Sequence, residues 1–184
     1  MKEKKRGQLF LITGGSGSGK SEYAEQLVME LGGLRRLYLA TMRVWDEEGS
    51  LRVERHRRQR TGKGFVTAER FTDLTGFAET LEEPFDTILL ECMSNLALNE
   101  FYESEERTAE RILDGVKCLR GCCRNLIIVT NEIFSDGITY DPVTERYLEL
   151  LGTVNCLLAS LANEVTEVIY GIPVPVKVGK EDRG

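Results

Sequence analysis

The chain alternates short apolar runs with amphipathic stretches along most of its length. Runs suited to strands buried on both faces recur at residues 8–13, 37–40, 87–90, 126–130 and 167–170. Between them the apolar spacing switches to the helical period. Ala24, Leu27, Val28 and Leu31 fall at i, i+3, i+4 and i+7, and Gly32-Gly33 ends that pattern. Tyr147, Leu150, Leu151, Val154, Leu157, Leu158 and Leu161 mark a longer helix with one apolar face, and residues 105–121 read as another helical segment. Strands alternating with helices predict an α/β fold, a mostly parallel sheet with helices on both faces. No repeat, low-complexity segment or Pro/Gly/Ser-rich linker divides the chain. Residues 1–184 are therefore expected to form a single domain, with 1–7 a disordered tail and 178–184 a flexible C-terminus.

Composition narrows the picture. At 184 residues and 41% hydrophobic content the chain is long enough and apolar enough for a real core. A domain of this size buries roughly 70% of its unfolded surface, so no disulfide or metal staple is required. The five cysteines form no CxxC pair and there is one histidine, which argues against a structural zinc site and a secreted disulfide framework. Cys118, Cys122 and Cys123, at the end of the 105–121 segment, read as small apolar core residues. With 24 Lys and Arg against 30 Asp and Glu the net charge is −6, against a surface that grips nucleic acid as a whole. The basic start is followed by only four apolar residues, Leu9-Phe10-Leu11-Ile12. A signal peptide needs about 7–15 and a membrane span about 20, so a cytoplasmic protein is expected.

Gly14-Gly15-Ser16-Gly17-Ser18-Gly19-Lys20-Ser21 matches GxxxxGK[ST] between a predicted strand and a predicted helix. Glycines let the backbone turn its N–H groups onto a phosphate chain, and the following helix offers its positive end to the same anion. Lys20 is expected on the β and γ phosphates and the Ser21 hydroxyl on Mg²⁺. The motif places the fold among P-loop NTPase-like sheets. A second acidic group is then needed, and Glu91 ends the apolar run after Phe85-Asp86-Thr87, at the edge where open α/β sheets bind ligands. It is positioned either to hold Mg²⁺ through water or to take a proton from an attacking hydroxyl. Thr41, Asn131 and Glu132 follow other strands and are candidates for the same edge. Cys92 adjoins Glu91, and Trp45 falls in the loop after Thr41.

Charge is unevenly spread. Residues 52–63 hold six Lys or Arg in twelve positions, around the only histidine, His56. Arg52, His56 and Arg60 are spaced by four, so on a helix they share one stripe, and a polyanion would relieve the repulsion along it. Neighbouring guanidiniums favour a neutral imidazole, free to act as nucleophile or base. The residues alone fit that role and also fit a solvated basic helix face.

The set resembles the adenosylcobinamide kinase/adenosylcobinamide-phosphate guanylyltransferase family of cobalamin biosynthesis. The resemblance rests on residues 13–21, Tyr38-Leu39-Ala40-Thr41, Arg52-Val53-Glu54-Arg55-His56-Arg57, Leu89-Leu90-Glu91-Cys92, Val129-Thr130-Asn131-Glu132, Gly137-Ile138, Gly152-Thr153-Val154-Asn155 and Gly171-Ile172-Pro173. It implies two reactions at one P-loop: phosphorylation of adenosylcobinamide by ATP or GTP, then transfer of GMP from GTP to the corrinoid phosphate through a GMP–histidine intermediate. It implies that His56 is the guanylylated residue and that Glu91 is the acidic group near the metal; Lys20 from the motif, Thr41 from its strand end, and Arg52 and Arg55 from the basic stripe are candidates for the nucleotide site. A homo-oligomer, commonly a trimer, is the family's assembly. The chain departs from the family at Ser135-Asp136, in the late Pro142, at Leu148-Glu149, at Cys156 and in a longer 60–65 loop. A simple P-loop small-molecule kinase and a non-catalytic nucleotide-binding regulator are the alternative readings.

Overall fold

A computed structural model describes residues 7–44, 47–135 and 137–179; for Glu48, Arg52, Arg55, His56 and Gln59 it describes the backbone alone. The elements run β1 (Gln8–Thr13), α1 (Lys20–Leu31), β2 (Arg36–Ala40), α2 (Glu47–Arg60), β3 (Phe65–Glu69), α3 (Leu74–Glu79), β4 (Phe85–Glu91), α4 (Met93–Glu103), α5 (Thr108–Gly121), β5 (Cys123–Val129), α6 (Pro142–Leu161), β6 (Glu164–Ile169) and β7 (Ile172–Lys177). They build one sheet in the order β3-β2-β4-β5-β1-β6-β7. Every pairing is parallel except that of β6 with β7.

Alternation along the strands explains the two-sided core. Leu9 and Leu11 of β1 point into the layer beneath α3–α6, whereas Phe10 and Ile12 point into the layer beneath α1. Leu37, Leu39, Ile88, Leu90, Leu126 and Ile128 repeat the first set, and Tyr38, Leu89, Ile127 and Val129 the second. Each fully buried Leu or Ile is worth about 1.5–3 kcal/mol of transfer free energy.

Helix ends follow local chemistry. Gly32 ends α1 at φ 73°, as the glycine pair predicts. Pro142, late relative to the family pattern, is the first residue of α6, and Asp141 caps it by accepting from the N–H groups of Val143 and Thr144. The 105–121 segment begins helical structure only at Thr108, whose hydroxyl donates to the Ser104 carbonyl at 2.6 Å. Gly7, expected to belong to the tail 1–7, is instead buried, and its carbonyl accepts from Arg120 Nε at 2.6 Å. The remainder, 1–6, lies outside the described residues, as do 180–184. Of the three cysteines assigned to the core only Cys123 is buried; Cys118 is exposed on α5 and Cys122 half-buried. No helix among the described residues is long and apolar enough to cross a membrane.

Candidate nucleotide-binding and transfer site

The carboxyl ends of β1, β2, β4 and β5 come level, with Ala40 beside Glu91 and Glu91 beside Val129. Above this edge opens a cleft of about 1230 Å³. The loop from β1 to α1 forms its floor. Gly14 is required there, because a Cβ would lie 2.6 Å from the Val168 carbonyl oxygen. At Gly15 and Gly17 a Cβ would meet nothing within 4 Å among the described residues, so the loop faces space of the kind a phosphate chain fills. Gly19 caps α1 without a side chain, which leaves the helix's first-turn N–H groups to an anion.

Three side chains converge beside this loop. Lys20 is buried and its Nζ donates to the Gly15 carbonyl at 2.8 Å. The Ser21 hydroxyl donates to Glu91 Oε1. Tyr38 donates its hydroxyl to the other oxygen, Oε2, at 3.0 Å. Burial first, and then the Glu91 charge, push the Tyr38 phenol well above its ordinary range. The Arg60 guanidinium lies 3.5 Å from the Tyr38 ring centroid, a cation–π contact made largely out of water. Val53, Arg57 and Arg60 put α2 on the opposite wall.

On the far side of Glu91 lies a polar group. Asn131 Nδ2 donates to Ser94 Oγ at 2.6 Å, and Asn95 Nδ2 to Cys92 Sγ at 3.1 Å. Desolvation raises the Cys92 thiol's pKa above its ordinary value, so Cys92 stands in the wall as a neutral thiol.

A family model described as cobinamide kinase / cobinamide phosphate guanyltransferase matches residues 10–176. The chain belongs to this, the CobU, family. The bifunctional adenosylcobalamin biosynthesis protein CobU of Escherichia coli (strain K12) is 29% identical over 183 residues, covering 92% of this chain and 99% of the relative. Its Pseudomonas aeruginosa counterpart CobP is 29% identical over 171 residues, covering 91% and 96%. Among solved structures the fold is shared with the flagellar accessory protein FlaH of Methanocaldococcus jannaschii (TM-score 0.54, 14% identity, 95% of this chain and 80% of that one). It is shared equally with a KaiC-like protein of Pyrococcus horikoshii (TM-score 0.54, 16% identity, 97% and 82%).

Within the CobU-family chain, Ser16, Gly17, Ser18, Gly19, Lys20, Ser21, Glu91 and Asn131 all line the cleft, and Gly14 and Gly15 shape the loop beneath it. Thr41 is fully buried instead. Its hydroxyl donates to the Cys92 carbonyl at 2.7 Å and its N–H to the Glu91 carbonyl at 3.1 Å, so it braces the Glu91 strand end from behind. Glu132 turns away to a loop, accepting from Phe134 N–H and Ser135 Oγ. Arg52, Arg55 and His56 belong to α2, but their side chains lie outside the described residues, as does Trp45 altogether. Sequence reasoning assigned Tyr38 and Arg60 no contact with Glu91 or with each other. The signal was present in one case: Tyr38 is the single polar residue in the run Leu37-Tyr38-Leu39-Ala40, and a buried hydroxyl needs a partner.

Proposed function

We propose that this chain is a two-step transferase, which phosphorylates the aminopropanol hydroxyl of adenosylcobinamide and then guanylylates the resulting phosphate. The observation that carries the reading is the pairing of a complete P-loop with α2 across one cleft. Lys20, Ser21 and Glu91 stand on one wall, and the helix bearing the only histidine forms the other.

In the first step the corrinoid hydroxyl oxygen attacks the γ-phosphorus of ATP or GTP, the bond to the β–γ bridging oxygen breaks, and the nucleoside diphosphate leaves. Lys20 and the loop N–H groups are assigned to neutralise charge on the phosphates, and Glu91 to accept the hydroxyl proton, reaching Mg²⁺ only through a bound water. In the second step a His56 ring nitrogen attacks the α-phosphorus of GTP and pyrophosphate leaves. A corrinoid phosphate oxygen then attacks the same phosphorus and displaces the histidine, giving adenosylcobinamide-GDP. Arg57 and Arg60 supply positive charge to the polyphosphate, and Arg52 and Arg55 are assigned to the same task. The oxygen donors Ser21 and Glu91 fit Mg²⁺, which favours few protein ligands completed by phosphates and water. Bound there, the ion would neutralise charge on the transferring phosphate.

We place the enzyme in the cytoplasm, supplied with ATP and GTP, as a homotrimer of the 20.8 kDa chain, the assembly the family resemblance implies. Incubation with Mg²⁺ and GTP labelled in the α-phosphate tests the function. The expected result is an acid-labile, base-stable adduct on the protein that is lost in His56→Asn. Cobinamide phosphorylation without any adduct would reduce the reading to a simple kinase. GTP binding with neither reaction would reduce it to a regulator.

A further inference from the structure

Beyond the cleft wall, α2 is fastened to the phosphate site at one end by contacts that extend past the groups assigned to the chemistry. Its last residue, Arg60, rests on Tyr38, which holds Glu91. The loop that follows is closed by Thr61 N–H to the Arg58 carbonyl and Lys63 N–H to the Arg60 carbonyl, both at 3.1 Å. Lys63 then reaches across to α1, where its Nζ meets Glu25 Oε2 at 2.5 Å. The Lys63 carbonyl is held in turn by Arg36 Nη1 of β2 at 2.9 Å.

Glu25 is an unusual partner. Its side chain is 1% exposed, and its second oxygen, Oε1, has no hydrogen bond among the described residues. A carboxylate buried on the helix that follows the P-loop is costly unless a cation compensates it, and among the described residues Lys63 pairs with it. The pair therefore ties two elements with different tasks: α1, whose start cradles phosphate, and the end of α2, one turn after His56.

We propose that Lys63 and Glu25 form a latch that sets the position of α2 over the nucleotide, making Lys63 a positioning residue for the histidine-dependent half of the reaction. The inference rests on the two-step reading above. The γ-phosphoryl transfer relies on the P-loop, the start of α1, Glu91 of β4 and the β2 residue Tyr38 that orients it, and none of these contacts passes through the latch. Attack by His56 relies on where α2 stands, and a misplacement of about 1 Å costs such a step up to about 100-fold.

The test compares the two half-reactions in Lys63→Gln, Lys63→Arg and the double variant Glu25→Gln/Lys63→Gln, which removes the buried charge along with its partner. Labelling from α-labelled GTP is expected to slow at least about tenfold at saturating GTP in Lys63→Gln and the double variant. Phosphorylation of cobinamide should stay within about twofold of wild type, and Lys63→Arg should recover most of the labelling rate. Labelling at the wild-type rate in a folded variant would overturn the latch. So would an equal fall in both reactions, or failure of both Gln variants to fold, since either makes the pair a stability element only. Wild-type protein that phosphorylates but never labels overturns the two-step reading itself, a result distinct from these.

Discussion

At Glu91 the separate side-chain interactions converge on one carboxylate. Ser21 donates to one oxygen and Tyr38 to the other, so the group's orientation is set from the neighbouring strand β2 and from the P-loop helix at once. Because burial drives the Tyr38 pKa upward, the phenol remains a donor across any ordinary assay pH. Tyr38→Phe would delete that donor and keep the ring against Arg60 and Phe65. With Glu91 in its proposed role at Mg²⁺, phosphorylation kcat is expected to fall about tenfold, the usual scale for losing a group that orients a metal ligand. The Mg²⁺ concentration needed for half-maximal rate should rise, with nucleotide KM little changed. A magnesium titration at saturating ATP measures this, and an unaltered titration curve would reduce Tyr38 to a packing residue. Lys20→Ala removes the side chain proposed to pair with the β and γ phosphates and is expected to cost about 100-fold or more in the same assay.

The joint between α1 and β2 shows how tightly elements are connected. Asp86 of β4 accepts from the N–H groups of Leu34 and Arg35 at 2.9 and 3.1 Å, and these two donors hold its carboxyl below the usual range. Gly33 sits at φ +86°, and a Cβ there would lie 2.4 Å from Asp86 Cβ. Gly33→Ala thus combines left-handed strain with a clash and is expected to destabilise by about 2 kcal/mol. Asp86→Ala should cost about 1 kcal/mol at neutral pH. With the folded pKa depressed, that contribution is present above the unfolded value near 3.8 and is lost as pH falls through the folded one. Urea midpoints of wild type and Asp86→Ala should therefore separate at pH 7 and converge as pH falls beneath the unfolded value near 3.8.

The same scale explains what could be read from sequence. β1, β4, β5 and α1 carry strong periodicity because both sides of each strand, or one face of the helix, are buried. β3 and β7 were not foreseen: they are edge strands, β7 exposed throughout and carrying Pro173 and Pro175. α4 escaped notice because it buries Ser94, Asn99 and Glu100 beside Met93, Leu96, Ala97 and Phe101, which erases the polar face. At the site, Lys20, Ser21 and Glu91 were legible because a motif and a strand end define them. The Tyr38–Arg60 and Lys63–Glu25 contacts were not, because they join residues 22 to 38 positions apart that only the tertiary fold brings together.

Across the whole molecule, both core layers depend on groups that must stay protonated. Tyr38 occupies the layer under α1, and Cys123 and Tyr147 belong to the layer under α3–α6. Burial is the largest cause of a raised pKa in all three, and it pushes the Cys123 thiol from 9.0 up to about 12. A raised folded pKa means the native state keeps a proton that the unfolded chain has lost. Stability is therefore whole below the unfolded pKa and falls as pH rises towards the folded one. For Cys123 that window opens near pH 9 and closes near 12; the tyrosines add to the slope from about pH 10. Each such group steepens the fall by up to about 1.4 kcal/mol per pH unit. Unfolding midpoints of the wild type should accordingly be level from pH 7 to 8.5 and drop steeply above 9. Cys123→Ala should begin slightly less stable at pH 7, from the lost packing, and decline more gently between pH 9 and 10 because one proton has left the balance. Parallel slopes for the two proteins in that interval would show that Cys123 ionises as freely in the fold as in the open chain. Because the layers share one sheet, nucleotide binding should be lost along the same pH curve as the fold.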